Sequence, residues 1–363
     1  MPTDPEPRAR SLAPWLTRAL TFANVAVFAA MALAGVDVLH PGPLEYIDWG
    51  SNFAALTATG EWWRLATAPF LHFGPVHLLF NAWALWSIGS LVERLFGHVR
   101  FGAIYILAGV AGSLASVAWN PLVNSAGASG AVFGIIGAQL AYFTRGGHRL
   151  PAELVRAQRN STLAFIAYSV TFGFIVPGID NAAHLGGLAT GFVMGWLLAR
   201  PLGAPVSRLQ ERASVLWAMA VAAALAVGGV AAARWSAQAH AAEQGWLLEW
   251  RRYAQTEPAM LSDMSRVMTG ARDGRVSDAE VVQWLEGTGI PFYSDAAARF
   301  AALSLPPGSP LAGERGRSLE FVRRRASAME AFAKGLRERD RDEVERAIAE
   351  LTAPMEPSKA GND

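Results

Sequence analysis

The 363-residue chain contains no cysteine and little charge. Without cysteine it can form neither disulfides nor thiolate metal sites, and the redox state of its compartment stays open. Charged residues make up 17% of the chain and hydrophobic residues 52%, which is too apolar for an ordinary soluble protein. The net charge is +1, and no basic run with interleaved aromatic residues occurs. Nucleic-acid binding is therefore not expected.

Charge is also distributed unevenly along the chain. Residues 1–233 hold 13 of the 31 Lys and Arg residues and 10 of the 30 Asp and Glu residues, and residues 234–363 hold the remaining 18 and 20. This contrast predicts a membrane domain followed by a small soluble domain.

Apolar runs long enough to cross a bilayer define seven candidate spans. They lie near residues 15–36, 73–95, 99–119, 125–144, 161–178, 182–200 and 213–233. Arg8, Arg10 and Arg18 precede or begin the first run, as basic residues precede the apolar core of a signal peptide. The length of that run and the six spans after it favour a transmembrane helix instead.

Arginine placement predicts the orientation. With the residue 1–14 tail in the cytoplasm, twelve arginines fall on the inner side and only Arg64 falls in the outer loops of the membrane domain. Spans two, four and six then run from outside to inside. His77, Ser129 and His184 lie near their starts, at a shared depth of roughly 5–10 Å below the outer surface at ~1.5 Å rise per residue.

A serine and a histidine at one depth in hydrocarbon predict nucleophilic catalysis, in which the imidazole activates the hydroxyl. Small residues repeat on both helices, which permits close approach of membrane helices. They are Gly130, Gly134 and Gly137 in span four and Gly187, Gly191 and Gly195 in span six. Phe133, one turn below Ser129, is expected to pack on the His184 imidazole.

A serine that attacks a carbonyl needs donors for the developing oxyanion. His77 and Asn81 share one helix face, and the Ser129 amide can supply a third donor, with Gly127 and Gly130 allowing the backbone to turn. A helix–helix hydrogen bond is the alternative for either His77 or Asn81 alone. His72 is expected to be structural and to bond the loop that enters span two.

Other chemistries fit less well. His72, His77 and His184 could form a three-histidine zinc set, but no Asp or Glu stands at ligand spacing and no H-E-x-x-H motif occurs. Asp180 could complete a triad with His184, although its place at the membrane edge suits a helix cap. A transporter is a third alternative, but the polar residues cluster near one face and no inverted repeat is evident. No metal or cofactor is expected.

The ordered motifs resemble the rhomboid family of intramembrane serine proteases over about residues 15–200. They are Trp63-Arg64, His72, His77-x-x-x-Asn81, Gly89-x-x-x-Glu93, Gly127-x-Ser129-Gly130 and Ala183-His184-x-x-Gly187. The resemblance implies an all-α fold, a six-helix core over 15–200, with the segment 213–233 as an added seventh span.

The resemblance also implies roles for single residues. Ser129 would be the nucleophile and His184 the general base and acid, with His77, Asn81 and the Ser129 amide as the oxyanion hole. Trp63 and Arg64 would lie in a membrane-embedded loop, which Glu93 would anchor by hydrogen bonds. Phe133 would stand against the histidine.

The expected function is endopeptidase cleavage of transmembrane segments with helix-destabilising small residues, near the outer face of a bacterial inner membrane. The alternative is a catalytically silent relative that binds membrane clients. Membrane lipid is the surrounding partner. Residues 236–363 lie outside the resemblance and predict an extracytoplasmic helical domain with a disordered tail. No catalytic constellation is evident in this sequence, and the domain is expected to filter substrates or to bind a protein partner. Its helices are expected near 236–253, 277–286, 293–302, 313–337 and 341–352.

Overall fold

The computed structural model describes residues 13–40, 42–146, 150–200 and 207–354, and the chain divides into two compact units between Ala239 and His240. The predicted tail over residues 1–14 lies outside the described residues except for Ala13 and Pro14, and so does the predicted tail after residue 354. Both units are helical.

The first unit contains a helix at each of the seven predicted spans. These are α1 (Trp15–Leu33), α5 (Pro75–Ala84) continued by a π-helical turn (Leu85–Gly89) and α6 (Ser90–Phe96), α7 (His98–Trp119), α8 (Ser129–Arg145), α9 (Ala152–Ile175), α10 (Asn181–Leu198) and α11 (Arg208–Ala239). By length and composition alone, four of these segments could cross a membrane: Trp15–Leu33, Pro75–Phe96, His98–Trp119 and Arg208–Ala239.

The connection between α1 and α5 is folded rather than extended. It contains α2 (Pro43–Asp48), β1 (Asn52–Phe53), α3 (Ala54–Thr57), α4 (Arg64–Thr67) and a 3₁₀ turn (Ala68–Phe70). Strand β1 pairs antiparallel with β2 (Asn124–Ser125), which lies shortly before α8. This pairing ties the connection to the segment that leads into Ser129.

Glycine lets α8 and α10 touch backbone to backbone. A Cβ added at Gly187 would overlap the carbonyl of Gly130, and one at Gly191 would overlap that of Gly134. At Gly195 the added atom would lie 2.6 Å from the Ala138 Cα. The two predicted glycine rows therefore face each other, as close packing of membrane helices requires.

Within residues 240–354, the part that the structure describes, the second unit has five helices around its own core. They are α12 (Ala241–Arg272), α13 (Asp278–Trp284) continued by a π-helical turn (Leu285–Gly289) and α14 (Ile290–Ala302), α15 (Ala312–Glu338) and α16 (Arg341–Thr352). Trp246, Tyr293, Phe300 and Met329 are completely buried in this core.

Two sequence-based expectations for this unit are wrong. Helix α12 continues past residue 253 and through Pro258, because Trp246, Tyr253 and Met260 recur every seven residues and all pack into the core. Nor is there a loop between the helices expected near 277–286 and 293–302, since Gly289 lies within a continuous helical path. A Cβ at Gly289 would lie 2.7 Å from the Met329 sulfur, so this glycine serves close packing.

Inside the second unit, two tyrosines share one carboxylate. The Tyr253 hydroxyl donates to Glu257 Oε1 over 2.7 Å, and the Tyr293 hydroxyl donates to the same oxygen over 3.2 Å. Burial, followed by the neighbouring Glu257 carboxylate, raises the pKa of both tyrosines. These bonds satisfy polar groups that lie within an otherwise apolar core.

Substituting Gly191 tests the backbone contact. Gly191→Ala should lower the thermal midpoint of the detergent-solubilised chain, because overpacking costs about 1–3 kcal/mol. Gly228→Ala is the matched control, since no atom lies within 4 Å of a Cβ added at that position of α11. An equal midpoint for Gly191→Ala and Gly228→Ala would contradict the described packing.

Candidate active site

Ser129 is the first residue of α8, and the turn before it depends on glycine. Gly127 has a φ of 126°, a left-handed region that side chains disfavour, and its N–H donates to the Ala68 carbonyl over 3.0 Å. Ala128 is the N-cap of the helix and is completely buried. Ser129 itself is half-buried. The predicted backbone turn is therefore present at Gly127.

His184 lies in the first turn of α10 and is buried. Its imidazole stacks on the Phe133 ring, with a centroid separation of 4.2 Å and an interplanar angle of 9°. Phe133 follows Ser129 by four residues, so both project from the same face of α8. The expected packing of Phe133 on the imidazole is confirmed.

Close contacts lie beside both residues of the predicted dyad. A Cβ added at Gly130 would be 3.4 Å from the Ala183 carbonyl oxygen, and Gly187 packs directly on Gly130. Ser129 and His184 are thus the sequence neighbours of Gly130 and Ala183, whose backbones lie close together. The structure brings the two elements together at the ends where the two residues lie.

His77 lies against the turn that precedes Ser129. A Cβ added at Gly127 would lie 2.7 Å from Cε1 and 2.8 Å from Nε2 of the His77 ring. The other ring nitrogen, Nδ1, accepts a hydrogen bond from the Phe73 N–H over 3.3 Å. This bond orients the ring with its Nε2 edge toward the Gly127 turn.

Asn81 is buried one turn further along α5. Its Nδ2 donates to the His77 carbonyl over 3.0 Å, a bond within the same helix. An amide nitrogen carries two N–H donors, so this bond uses one of them. The structure therefore brings Asn81 to the same helix face as His77, with one donor engaged in the helix.

His72 supports the turn before Ser129. Its Nε2 accepts a hydrogen bond from the Ala128 N–H over 3.4 Å, and its carbonyl accepts one from the Tyr46 hydroxyl over 2.6 Å. The sequence predicts a bond to the loop that enters α5. The bond to that loop is made by the backbone, since the His72 carbonyl also accepts the Gly74 N–H over 2.9 Å, whereas the ring reaches Ala128 of the α8 turn.

The alternative metal site finds no support in the geometry. Among the described parts of the chain, no three His, Asp or Glu side chains are grouped so that they could hold a metal ion. His72 and His77 each use a ring nitrogen to accept a backbone N–H. A neutral imidazole has one acceptor nitrogen, and in both rings that nitrogen accepts a backbone N–H, so neither ring offers a lone pair to a metal ion in this arrangement.

Asp180 caps α10. Its Oδ1 accepts hydrogen bonds from the Ala183 N–H over 3.0 Å and from Asn120 Nδ2 over 3.3 Å. The His184 Nδ1 atom is buried and has no hydrogen-bond partner among the described residues. Asp180 therefore fixes the start of the helix that carries His184, and its carboxylate does not bond the imidazole.

Arg64 holds the folded connection between α1 and α5 together. It is buried, and its Nη1 donates to the carbonyls of Ile47 over 2.6 Å and Ser51 over 3.0 Å. Its Nε donates to Glu61 over 2.8 Å. The guanidinium also lies 4.6 Å from the centroid of the half-exposed Trp63 ring. Buried carbonyls of an irregular segment are thereby satisfied.

The expectation that Glu93 anchors this connection is wrong. Its carboxylate accepts bonds from the Leu16 N–H over 3.0 Å, the Thr17 N–H over 2.7 Å and the Thr17 hydroxyl over 2.6 Å. His98 Nδ1 lies 2.5 Å from the same carboxylate. The first N–H groups of a helix lack partners within it, and Glu93 supplies acceptors for α1. It therefore anchors the opposite end of α1.

The sequence analysis did not predict that α7 packs beside Ser129 and His184. A Cβ at Gly112 would lie 2.7 Å from the Ala183 carbonyl oxygen and 3.4 Å from the Gly130 Cα, so three helices meet beside Ser129 and His184. The signal was available, because Ala108, Gly112 and Ser116 repeat at the spacing of small-residue helix contacts. Asn120, which bonds Asp180, had no such pattern.

The three elements with catalytic-type residues begin at the same end of the bundle. His77, Ser129 and His184 are the third, first and fourth residues of α5, α8 and α10. The fold and the site therefore place this chain in a class of helical membrane proteins. In this class, a serine and an imidazole lie at the ends of helices that pack closely through glycine.

Comparison with known proteins identifies the family. A model of the Rhomboid domain matches residues 59–201. The rhomboid protease GluP of Bacillus subtilis is 41% identical over 175 residues, covering 48% of this chain and 34% of GluP. The rhomboid protease AarA of Providencia stuartii is 32% identical over 202 residues, covering 48% of this chain and 69% of AarA. This chain belongs to the rhomboid family.

The similarity is partial in both directions. RHOMBOID-like protein 4 of Arabidopsis thaliana is 34% identical over 218 residues, covering 53% of this chain and 55% of that protein. This chain thus spans about a third of GluP and about half of the plant relative. The Rhomboid domain match ends at residue 201, before α11 and the second unit.

Removing the Asp180 cap tests how α10 is positioned. Asp180→Ala should destabilise the purified chain by about 1 kcal/mol, the usual cost of losing an N-cap acceptor. Asp180→Asn should lose much less, because asparagine also caps helices well. Thermal unfolding in detergent measures both variants. A larger loss for Asp180→Asn than for Asp180→Ala would indicate that the charge matters more than the cap.

Proposed function

We propose that this chain is an intramembrane serine endopeptidase in which Ser129 is the nucleophile and His184 the general base and acid. The carrying observation is the stack of the His184 imidazole on Phe133, one turn from Ser129, between helices whose backbones touch at Gly130 and Gly187. The family membership of residues 59–201 supports the reaction class.

The chemistry follows from these two groups. The Ser129 hydroxyl attacks the carbonyl carbon of the scissile peptide bond while its proton passes to the His184 imidazole. The imidazolium then protonates the leaving amine, and an acyl-enzyme ester remains on Ser129. His184 next takes a proton from water, which hydrolyses the ester and restores the serine.

An oxyanion hole is proposed from His77, Asn81 and the Ser129 backbone N–H. The N–H of Ser129 belongs to the first turn of α8, where backbone donors lack partners within the helix. His77 lies against Gly127, which precedes Ser129 by two residues. Asn81 has a second amide N–H that its bond to the His77 carbonyl does not use. These donors would stabilise the negative oxygen of the tetrahedral intermediate.

The proposed substrates are transmembrane segments with helix-destabilising small residues. A helix shields its carbonyls in internal hydrogen bonds, so cleavage requires local unwinding at Gly, Ala or Pro. We place the site near the outer face of a bacterial inner membrane, with the N-terminus in the cytoplasm. The arginine distribution and the shared position of the three residues at one end of the bundle support this placement.

Replacing the nucleophile tests the proposal. Ser129→Ala should abolish cleavage of a model transmembrane substrate in liposomes, a loss of at least about 10³-fold for a removed nucleophile. Ser125→Ala is the matched control, because Ser125 lies in the same segment but only its backbone takes part in the β1–β2 pair. Full cleavage by Ser129→Ala, or equal loss in Ser125→Ala, would contradict the assignment.

We further propose that the second unit is an extracytoplasmic interaction module that recruits a protein partner or selects substrates. Its separate core and its position outside the Rhomboid domain match support an independent role. Removing residues 240–363 should change the set of cleaved proteins in cells while leaving cleavage of a minimal model substrate intact. Proteomics of released ectodomains measures this set. An unchanged set and unchanged complexes would contradict the proposal.

A further inference from the structure

The first unit contains a cavity at the end of its helices opposite Ser129. It lies where α7 begins, α8 and α10 end, and α11 begins, and has a volume of about 470 Å³. Helix α8 separates it from Ser129 by 16 residues, or about 24 Å at 1.5 Å rise per residue. No residue assigned to the catalytic site lines it.

Three arginines line this cavity, and two of them pair with one carboxylate. Arg100 Nη2 lies 3.1 Å from Glu211 Oε1, and Arg200 forms an ion pair with the same oxygen. Arg145 Nη1 donates to the carbonyls of Trp196 and Ala199 at the end of α10, over 2.5 Å and 3.1 Å. Three guanidiniums and a single carboxylate therefore line the cavity, which leaves an excess of positive charge on its wall.

Most of the remaining wall is apolar and aromatic, with Gln210 and Ser214 as its polar members. Trp196 and Trp217 line the cavity with Leu197 and Val215, and the two tryptophans are 41% and 66% exposed. Tryptophan is enriched where the hydrocarbon of a membrane meets the headgroups. The cavity thus joins a cationic end to an aromatic and apolar side.

We propose that this cavity binds the phosphate of an anionic phospholipid. Arginine binds phosphate oxygens through paired N–H donors, and basic pockets between membrane helices are suited to anionic headgroups. The phosphate would lie among Arg100, Arg145 and Arg200, with an acyl chain along Trp196 and Trp217. A free soluble phosphate would use the guanidiniums but would gain nothing from the apolar side.

Native mass spectrometry of the full chain with dioleoyl phosphatidylglycerol tests the site. The double variant Arg100→Gln/Arg200→Gln should bind this lipid about 25-fold more weakly, at about fivefold for each arginine removed. Glu211→Gln should bind it more tightly, because it removes the competing carboxylate. Opposite effects of these two variants cannot both arise from misfolding.

Arg156→Gln is the matched control, since Arg156 is exposed on α9 at the same end of the bundle and lines no part of the cavity. It should retain phosphatidylglycerol like the unchanged chain, and phosphatidylcholine should bind all variants alike. Equal retention by the double variant and the control would overturn the site. Displacement of the lipid by inorganic phosphate at equal concentration would overturn the lipid assignment in favour of a soluble anion.

Discussion

Direct backbone contact between α8 and α10 is the constraint on which the site depends. Gly130 and Gly187 leave no room for a side chain between the two helices. Gly112 of α7 packs closely against both helices. Only this approach allows a ring on α10 to stack on Phe133 of α8. The stack in turn sets where the His184 imidazole lies relative to Ser129, so the proposed chemistry depends on the absence of side chains at a few positions.

Around that contact, polar groups with buried partners fix the ends of the elements. Asp180 caps α10, His72 bonds the residue before Ser129, and Arg64 satisfies carbonyls of the folded connection. Each removes an orphan donor or acceptor from a place that water does not reach, which is costly to leave unsatisfied in a membrane. Rigidity at the site is therefore distributed over three separate segments of the chain.

The sequence predicted a helix at each of the seven candidate spans, the facing glycine rows and the Phe133 stack, because spacing and hydropathy determine them locally. It failed where partners are distant. Glu93 bonds Thr17, 76 residues away, and no local pattern marks which helix end a buried carboxylate will cap. In the second unit, helix α12 passes through Pro258 because core contacts outweigh a local helix-breaking signal. The roles of Ser129, His184, His77 and Asn81 remain predictions from chemistry and family.

The most direct test of the central claim is labelling of the intact chain with a fluorophosphonate, a reagent that reacts with activated serines, followed by mapping of the modified peptide. The account predicts a single adduct on Ser129 that His184→Ala abolishes and that Phe133→Leu weakens, because the stack orients the imidazole. An adduct on another serine, or labelling of Ser129 that persists in His184→Ala, would contradict it.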